Sequence, residues 1–471
     1  MNIITFLNKK GYDTVPADHY RMVQIWESWY RSKVRGFHQY RINNGAKSVK
    51  CDRLSAGMAK MVSEDLADDL MNEKVKITLS DQAADDYVNE VLMLNNWAVQ
   101  SSAYQERKGY TGTVAYVPYL EDVEVTEDGV IITGAGTVRI NYFEASNIYP
   151  LSWLNGVVEE CAFVSVHTVQ GKKYAHIQLH VREGLGQEYV IYNYVAECTN
   201  GAGRELDPAE WKQLTPFEAM SEKVYTGSYR RQFVIDRLNI VNNMDPDSPM
   251  GVAVFANAID QLRGIDIAYD SYVNEFVLGK KRIFVAPEML NMGTDGSPVF
   301  DPNDVTFYQL PEDSLKEGEA IREVNMEIRA EAHSRAIDDF LNILSVKCGF
   351  GTEHYRFEKG SIQTATQVIS ENSDLYKTIV KHEIILENVL KELVAIIVRL
   401  GNVLGNGLNE SFEVTIDFDD SIIEDKGAER QEDRQDVAMG VMRLEEYRAK
   451  WYNETVEEAE KKLPEPAMVE E

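Results

Sequence analysis

The hydrophobic positions of this chain change period along its length, and each change marks a different kind of element. In SVKCDRLSAGMAKMVSEDLADDLMNE, Leu54, Met58, Met61, Val62, Leu66 and Leu70 recur at three- and four-residue spacing, which puts them on one face of a helix. A second helical stretch is predicted from Asp81 to about Arg107. From about Tyr110 to Ile240 the runs shorten and alternate, as in TVAYVPYL, GVIITGAGTVRINYF, AFVSVHTV, YAHIQLHV and EYVIYNYV, with Gly and Asp turns between them. Val, Ile, Tyr and Thr at period two predict an antiparallel sheet region.

Beyond NNMDPDSPMG, where two prolines and a capping Ser248 interrupt the chain, helical spacing returns. VAVFANAIDQLRGIDIAYDSYVNEFVLG puts Phe255, Ile259, Leu262, Tyr269, Tyr272, Val273 and Phe276 on one broad face, over a predicted length of roughly 40 Å. The next segment, KKRIFVAPEMLNMGTDGSPVFDPNDVTFYQLPED, reads as short strands and turns, and a helix follows from about Asn325 to Cys348. GFGTEHYRFEKG, residues 349 to 360, then leads into one very long helical pattern, a strand SFEVTIDF, and a highly charged helical pattern from about Ala428 to Leu463. Long helices with few buried-looking faces more often pack against copies of themselves than close into a single globule.

Charge changes this picture more than composition does. At 471 residues the chain exceeds one compact core, and 77 Asp and Glu against 48 Lys and Arg leave it at −29. A tight binder of DNA or RNA needs a basic footprint, and the average here is the opposite. Cys51, Cys161, Cys198 and Cys348 are far apart and form no CxxC pair, so neither a zinc knuckle nor a disulfide frame is indicated, and a reducing compartment is the simpler reading. The start of the chain carries no signal-peptide pattern and no run reaches a membrane span, so a soluble, unprocessed protein with no membrane partner is expected.

Candidate chemistry is thin. GFGTEHYRFEKGS lacks the order of a phosphate-binding GxxxxGK loop and follows a helix, not a strand. GAGT at 134 to 137 lies between strand-like runs and reads as a hairpin turn. His176 and His180, four apart on a strand, would sit roughly 13 Å apart along the chain, too far to share one ion, and read as partly exposed strand residues. The acidic run Asp417 to Asp425 reads as a strand end and helix cap before it reads as a cation site. No catalytic residue, metal or cofactor is assigned. The loop's His354, Tyr355, Arg356, Phe357 and Lys359 would be an ordinary connector in a monomer, but in a ring one copy per subunit would line a pore.

Three strings carry a family resemblance: DPDSPMGVAVFANAIDQLRGIDIAYDSYVNEFVLGKKRIFVAPEML, GFGTEHYRFEKGSIQTATQVISENSDLYKTI, and FDDSIIEDKGAERQEDRQDVAMGVMRLEEY, with RLSAGMAKMVSEDLADDLMNE as a fourth. They resemble the portal proteins, or head-to-tail connectors, of tailed bacteriophages, in the siphophage group of Gram-positive hosts. The resemblance covers nearly the whole chain and is strongest from about 245 to 380.

That resemblance implies an α+β subunit of elongated, ring-forming type. It implies a wing at 1–250, stem helices at 251–279 and 323–350 around a clip at 280–322, a tunnel loop at 351–362, a long wing helix and return strand at 363–425, and a short helical crown at 426–471. The implied ring, typically of twelve subunits, encloses a channel for double-stranded DNA packaging and ejection at one capsid vertex. Its implied partners are the terminase large subunit, an adaptor or head-completion protein, and the major capsid and scaffolding proteins. Its implied location is the virion, with the host cytoplasm during assembly. The tunnel loop would present Glu353, His354, Tyr355, Arg356, Phe357 and Lys359, and the clip would dock partners through Lys280, Lys281, Arg282 and Lys316. Asp260, Asp266, Asp270, Glu275, Asp338 and Asp339 are the stem carboxylates available to repel DNA from the channel wall. Two competing readings are a nucleic-acid-processing enzyme with a dispersed site and an acidic oligomeric scaffold.

Overall fold

Phe6 and Leu7 of Ile3–Lys9 (α1) are buried, but against a sheet far along the chain and not against the main core. The computed structural model describes residues 3–43, 45, 47–71, 75–123, 126, 131–132, 136–184, 187–198, 203–279, 282–285, 307–309, 321–324, 327–352, 354–356, 365–418, 426–452 and 456–463. Val23, Trp26 and Trp29 of Ala17–Tyr30 (α2) start the main core. Between α2 and the next helix the chain forms a hairpin, Gln39–Asn43 (β1) with Ser48–Asp52 (β2), paired from Gln39↔Asp52 to Asn43↔Ser48.

That hairpin corrects the sequence reading, which placed SVKC in a helix. Helix Met58–Leu70 (α3) begins only after Gly57, and its buried Met58, Val62, Leu66 and Leu70 keep the predicted stripe, while Leu54 and Met61 are exposed. The apolar residues of β2 alternate and could be fitted to either period over so short a run.

Lys76–Leu79 (β3) precedes Gln82–Leu94 (α4), whose N-cap Asp81 accepts a hydrogen bond from the Ala84 N–H at 3.0 Å. The single stretch predicted from Asp81 to Arg107 is two helices, because Asn96 is left-handed at φ 51 and starts Trp97–Thr111 (α5). Asn95 explains the break: its amide donates to the Val138 carbonyl at 3.0 Å and accepts from the Ile140 N–H at 2.9 Å, trading helix continuation for a sheet contact.

The β region from 113 to 237 is two sheets. Thr113–Glu121 (β4) pairs with Thr137–Glu144 (β5), and a later strand, Val234–Arg237, flanks β4 on its other side. The larger sheet runs through Ile148–Leu154 (β6), Val157–Val169 (β7), Lys172–Glu183 (β8) and Glu188–Glu197 (β9), with Arg204–Glu205 (β10) and Lys223–Tyr225 (β11) on β9. Alternation sorts its faces: Ile177, Leu179 and Val181 meet α1, while Tyr174 packs with Trp211 of Pro208–Trp211 (α6) and with Phe217. His176 and His180 share that second face, and His180 is buried between Phe163 and Phe233, at centroid distances of 5.3 and 5.6 Å, not partly exposed as read from sequence.

Val234–Arg237 (β12) carries Asp236 into the buried interior. Both its oxygens accept from Lys108 Nζ, at 2.9 and 3.0 Å, and Oδ2 accepts from Gln105 at 2.8 Å, all three residues being buried. The chain then crosses the end of α5 backbone to backbone. A Cβ on Gly251 would stand 2.3 Å from the Gly112 carbonyl oxygen, so neither glycine can carry a side chain there. This crossing holds residues 252–255 buried and non-helical, and the helix predicted from Val252 begins at Ile259, after a short 3₁₀ turn.

Ile259–Leu278 (α7) leads to a segment in which, among the described residues, Arg282–Val285 (β13) pairs parallel with Phe307–Gln309 (β14) and antiparallel with Ile321–Val324 (β15). Ala330–Cys348 (α8) starts five residues later than read, residues 327–329 being non-helical, with the Arg329 N–H donating to Glu275 of α7. Ala365–Val403 (α9) is 39 residues long, about 58 Å at 1.5 Å per residue, and buries Leu386, Leu390, Leu393, Val394 and Ile397 along the core. Val414–Asp417 (β16) returns to pair with β3. Among its described residues the charged terminal stretch forms three helices, Lys426–Met439 (α10), Leu444–Tyr452 (α11) and Val456–Lys461 (α12).

Candidate functional site

Helices α7 and α8 run antiparallel, because the start of α7 meets the end of α8. Lys347 Nζ donates to the Asn257 carbonyl and to Gln261 Oε1, both at 3.0 Å. At the far end Glu275 accepts from the Arg329 N–H at 3.0 Å and from Arg329 Nε at 2.7 Å, with His333 Nε2 at 3.1 Å. These hydrogen bonds, those from Arg329 first, hold the Glu275 carboxyl down at about 2. Tyr272 stacks on His333 at 5.4 Å, and Phe340 fills the space over Gly264.

The stem carboxylates fall into three groups. Asp260 and Asp339 are exposed, and Asp270 and Asp338 are half-buried. Glu275 is engaged with Arg329 as described. Asp266 corrects the sequence reading, because it is buried inside the subunit and cannot line an open wall. Its Oδ2 lies 2.8 Å from His38 Nε2, and its Oδ1 accepts from Ser55 Oγ at 3.0 Å and the Ala56 N–H at 2.8 Å. Asp270 accepts from the Leu54 N–H at 3.1 Å, so two of the acidic residues fasten α7 to the chain flanking the β1–β2 hairpin.

The glycine-bounded loop starts on a left-handed Gly349 at φ 88, against Thr378 of α9. It then folds back onto α3. Phe350 and Tyr355 are buried, and the Tyr355 N–H donates to Ser345 Oγ at 3.3 Å. The Tyr355 hydroxyl donates to Asp65 Oδ2 at 2.7 Å, and His354 Nε2 lies 3.8 Å from the same oxygen. Burial pushes the neighbouring Asp69 carboxyl up to about 6, with His354 opposing. Tyr355 is therefore an anchor and not a projecting side chain, a correction that follows from its apolar ring finding cover beside Phe350. Arg356 is half-buried, and Glu353, Phe357 and Lys359 lie outside the described residues. So do Lys280, Lys281 and Lys316, while Arg282 is described only as backbone of β13. Of the acidic run 417–425 only Asp417 and Phe418 are described.

Among the described residues no three His, Cys, Asp or Glu side chains gather as a metal site, and no helix is long and apolar enough to cross a membrane. Sequence reasoning missed two buried pairs of ionisable side chains, Lys108–Asp236 and His38–Asp266, because their partners lie 128 and 228 residues apart. What these contacts define is an α+β subunit whose helix pair and loop are positioned by packing and ion pairs.

Residues 17–470 match the family model described as phage portal protein, SPP1 Gp6-like, and the chain belongs to that family. It is a portal protein, the head-to-tail connector among the structural proteins of the phage virion. A solved structure described as the neck of a native GTA particle computed with C12 symmetry is similar over 84% of this chain and 90% of its own, at 12% identity and a TM-score of 0.40. No curated protein matches the chain.

Proposed function

We propose that copies of this chain close into a ring at one capsid vertex, around a channel through which double-stranded DNA is packaged and later ejected. The observation that carries this is family membership over residues 17–470. In this reading α7 and α8 form the stem and residues 280–322 the clip, which docks the terminase large subunit and afterwards an adaptor or head-completion protein through Lys280, Lys281, Arg282 and Lys316. Major capsid and scaffolding proteins surround the wing, residues 1–250, and residues 426–471 form the crown.

The charge of the chain supports the role physically. A conduit for a polyanion must not capture it, since each lysine that holds a phosphate adds a barrier to sliding. Exposed Asp260 and Asp339, with half-buried Asp338, supply repulsion that keeps DNA centred, and Arg356 and Lys359 of the loop supply brief phosphate contacts. ATP hydrolysis belongs to the terminase in this scheme, and the portal does no chemistry.

Negative-stain microscopy of the purified chain tests the ring. Rings with a central channel are expected, and a monomer at all concentrations, with or without scaffolding protein, would overturn the reading. ATPase or nuclease activity in isolated rings, lost on substituting one carboxylate, would favour an enzyme instead.

A further inference from the structure

The β1–β2 hairpin stands apart from the rest of this acidic chain. Residues 31–53 carry seven Lys and Arg against Asp52 alone, a net of +6 within a chain of −29. Register divides the hairpin into two unlike faces. Arg41 sits directly opposite Lys50, flanked on that face by Gln39 and Asp52 on the root side and by Asn43 and Ser48 on the tip side, so two cations meet one carboxylate there, while Ile42 sits opposite Val49 and Tyr40 opposite Cys51 on the other face. Among the described residues the outer half of neither face is covered: Arg41 and Lys50 are exposed, and Ile42 and Val49 are 50% and 45% exposed, whereas Tyr40 and Cys51 nearer the root are partly buried.

Such a hairpin is costly in isolation. Two strands alone are marginally stable in water, among the described residues no third strand pairs with them beyond the Arg35–Gln39 bridge at the root, and like charges directly opposite each other repel. Its root is nevertheless firmly held. Arg53 stacks over the rings of Phe37 and Tyr40 at 4.2 and 4.9 Å, and His38 reaches Asp266 on α7. A rigid root carrying a free, two-faced arm is a structure completed by something outside the subunit.

We propose that this hairpin is an arm that docks onto an acidic surface of a second copy of the chain. The proposal rests on the ring reading above and names one of the contacts that closes it. Charge complementarity favours this occupant, because the chain outside residues 31–53 is strongly acidic and would receive Arg41 and Lys50. The apolar face decides against duplex DNA as the occupant: phosphates would satisfy Arg41 and Lys50 but leave Ile42 and Val49 in water, whereas a protein surface covers both faces. Because the arm is rooted on Asp266, docking would also fix the angle of α7 relative to the neighbouring subunit.

The full-length protein is compared by sedimentation velocity at low and high salt as wild type, as Arg41→Glu/Lys50→Glu and as Ile42→Ser/Val49→Ser, with thermal melts checking that each variant folds. Backbone amide exchange across residues 39–52 is measured in wild-type monomers and rings. Each double variant is expected to need about tenfold more protein to assemble, and the hairpin amides to be protected in rings only. Assembly at wild-type concentrations with unchanged salt dependence, and equal exchange in monomer and ring, overturns the inference while leaving the ring reading intact. Normal assembly with lost affinity for duplex DNA overturns it in favour of a nucleic-acid contact. Wild-type protein that forms no ring overturns both readings together.

Discussion

Phe340 lies over the Cα of Gly264 so closely that a Cβ on that glycine would stand 2.7 Å from its Cε1. Two effects compete in Gly264→Ala. Alanine in a helix interior gains about 1 kcal/mol in propensity, whereas forcing a methyl into a packed contact costs about 1–3 kcal/mol. At 2.7 Å the ring must move, so the second effect should win. Gly264→Ala is expected to lower the melting temperature, and Gly264→Ala/Phe340→Leu to recover part of the loss. An alanine variant as stable as wild type would show that the Phe340 ring moves aside at a cost no larger than the gain in helix propensity.

Lys108 and Asp236 form a buried pair, and burial pulls the lysine below its usual range while the aspartate beside it opposes. Removing one partner leaves an unpaired charge in the core, which costs about 3–5 kcal/mol, whereas replacing both with apolar residues is far milder. Denaturant unfolding should therefore rank Lys108→Met as clearly less stable than Lys108→Met/Asp236→Leu. Equal losses in the two variants would mean that packing volume, not charge, is what the pair supplies.

The same pair shows what could be read from sequence and what could not. Helices α3, α7, α8 and α9 were legible because their apolar residues keep a helical period, and the sheet region because Val, Ile and Tyr alternate. The β1–β2 hairpin was not, since a strand pair with no buried face leaves no hydrophobic signature, and SVKC was absorbed into the stripe of α3. The start of α7 was misplaced because Val252–Phe255 is apolar enough for a helix, and what prevents one is the approach of Gly112, 139 residues earlier. Asp266 read as a wall carboxylate for a related reason: nothing local to α7 announces that His38 will be its neighbour.

Among the described residues His180 has no hydrogen-bond partner on either ring nitrogen, and burial, with His176 adding to it, pulls it down to about 3. A histidine held neutral in the fold takes up its proton on unfolding once the pH drops below its ordinary value of about 6.5. Its contribution is thus complete above 6.5 and is lost as the pH falls from there towards 3, at up to about 1.4 kcal/mol per pH unit. His180→Leu should flatten the pH dependence of stability by that slope across this window. An unchanged profile between wild type and His180→Leu would mean that His180 is charged in the fold or freely solvated.

The Tyr355 hydroxyl donates a hydrogen bond that ties the glycine-bounded loop to α3, through Asp65 Oδ2 at 2.7 Å. Asp65 is partly exposed and can exchange this donor for water, so Tyr355→Phe is expected to cost only about 1 kcal/mol, as for an ordinary hydrogen bond and less than for one to a fully buried charge. The loss should be local. The ring stays buried beside Phe350, so melting changes little, while amide exchange speeds up from Gly349 to Arg356 and not along α9. Tyr355→Ala also removes the buried ring, adding about 3 kcal/mol or more for the cavity, and should release the same segment much further. If exchange in the segment is unaffected by Tyr355→Phe and strongly raised by Tyr355→Ala, the ring alone anchors the loop and the Asp65 bond is incidental. If both variants leave it unchanged, the loop is held by its flanking helices, and the contact with α3 does not set how far it can reach.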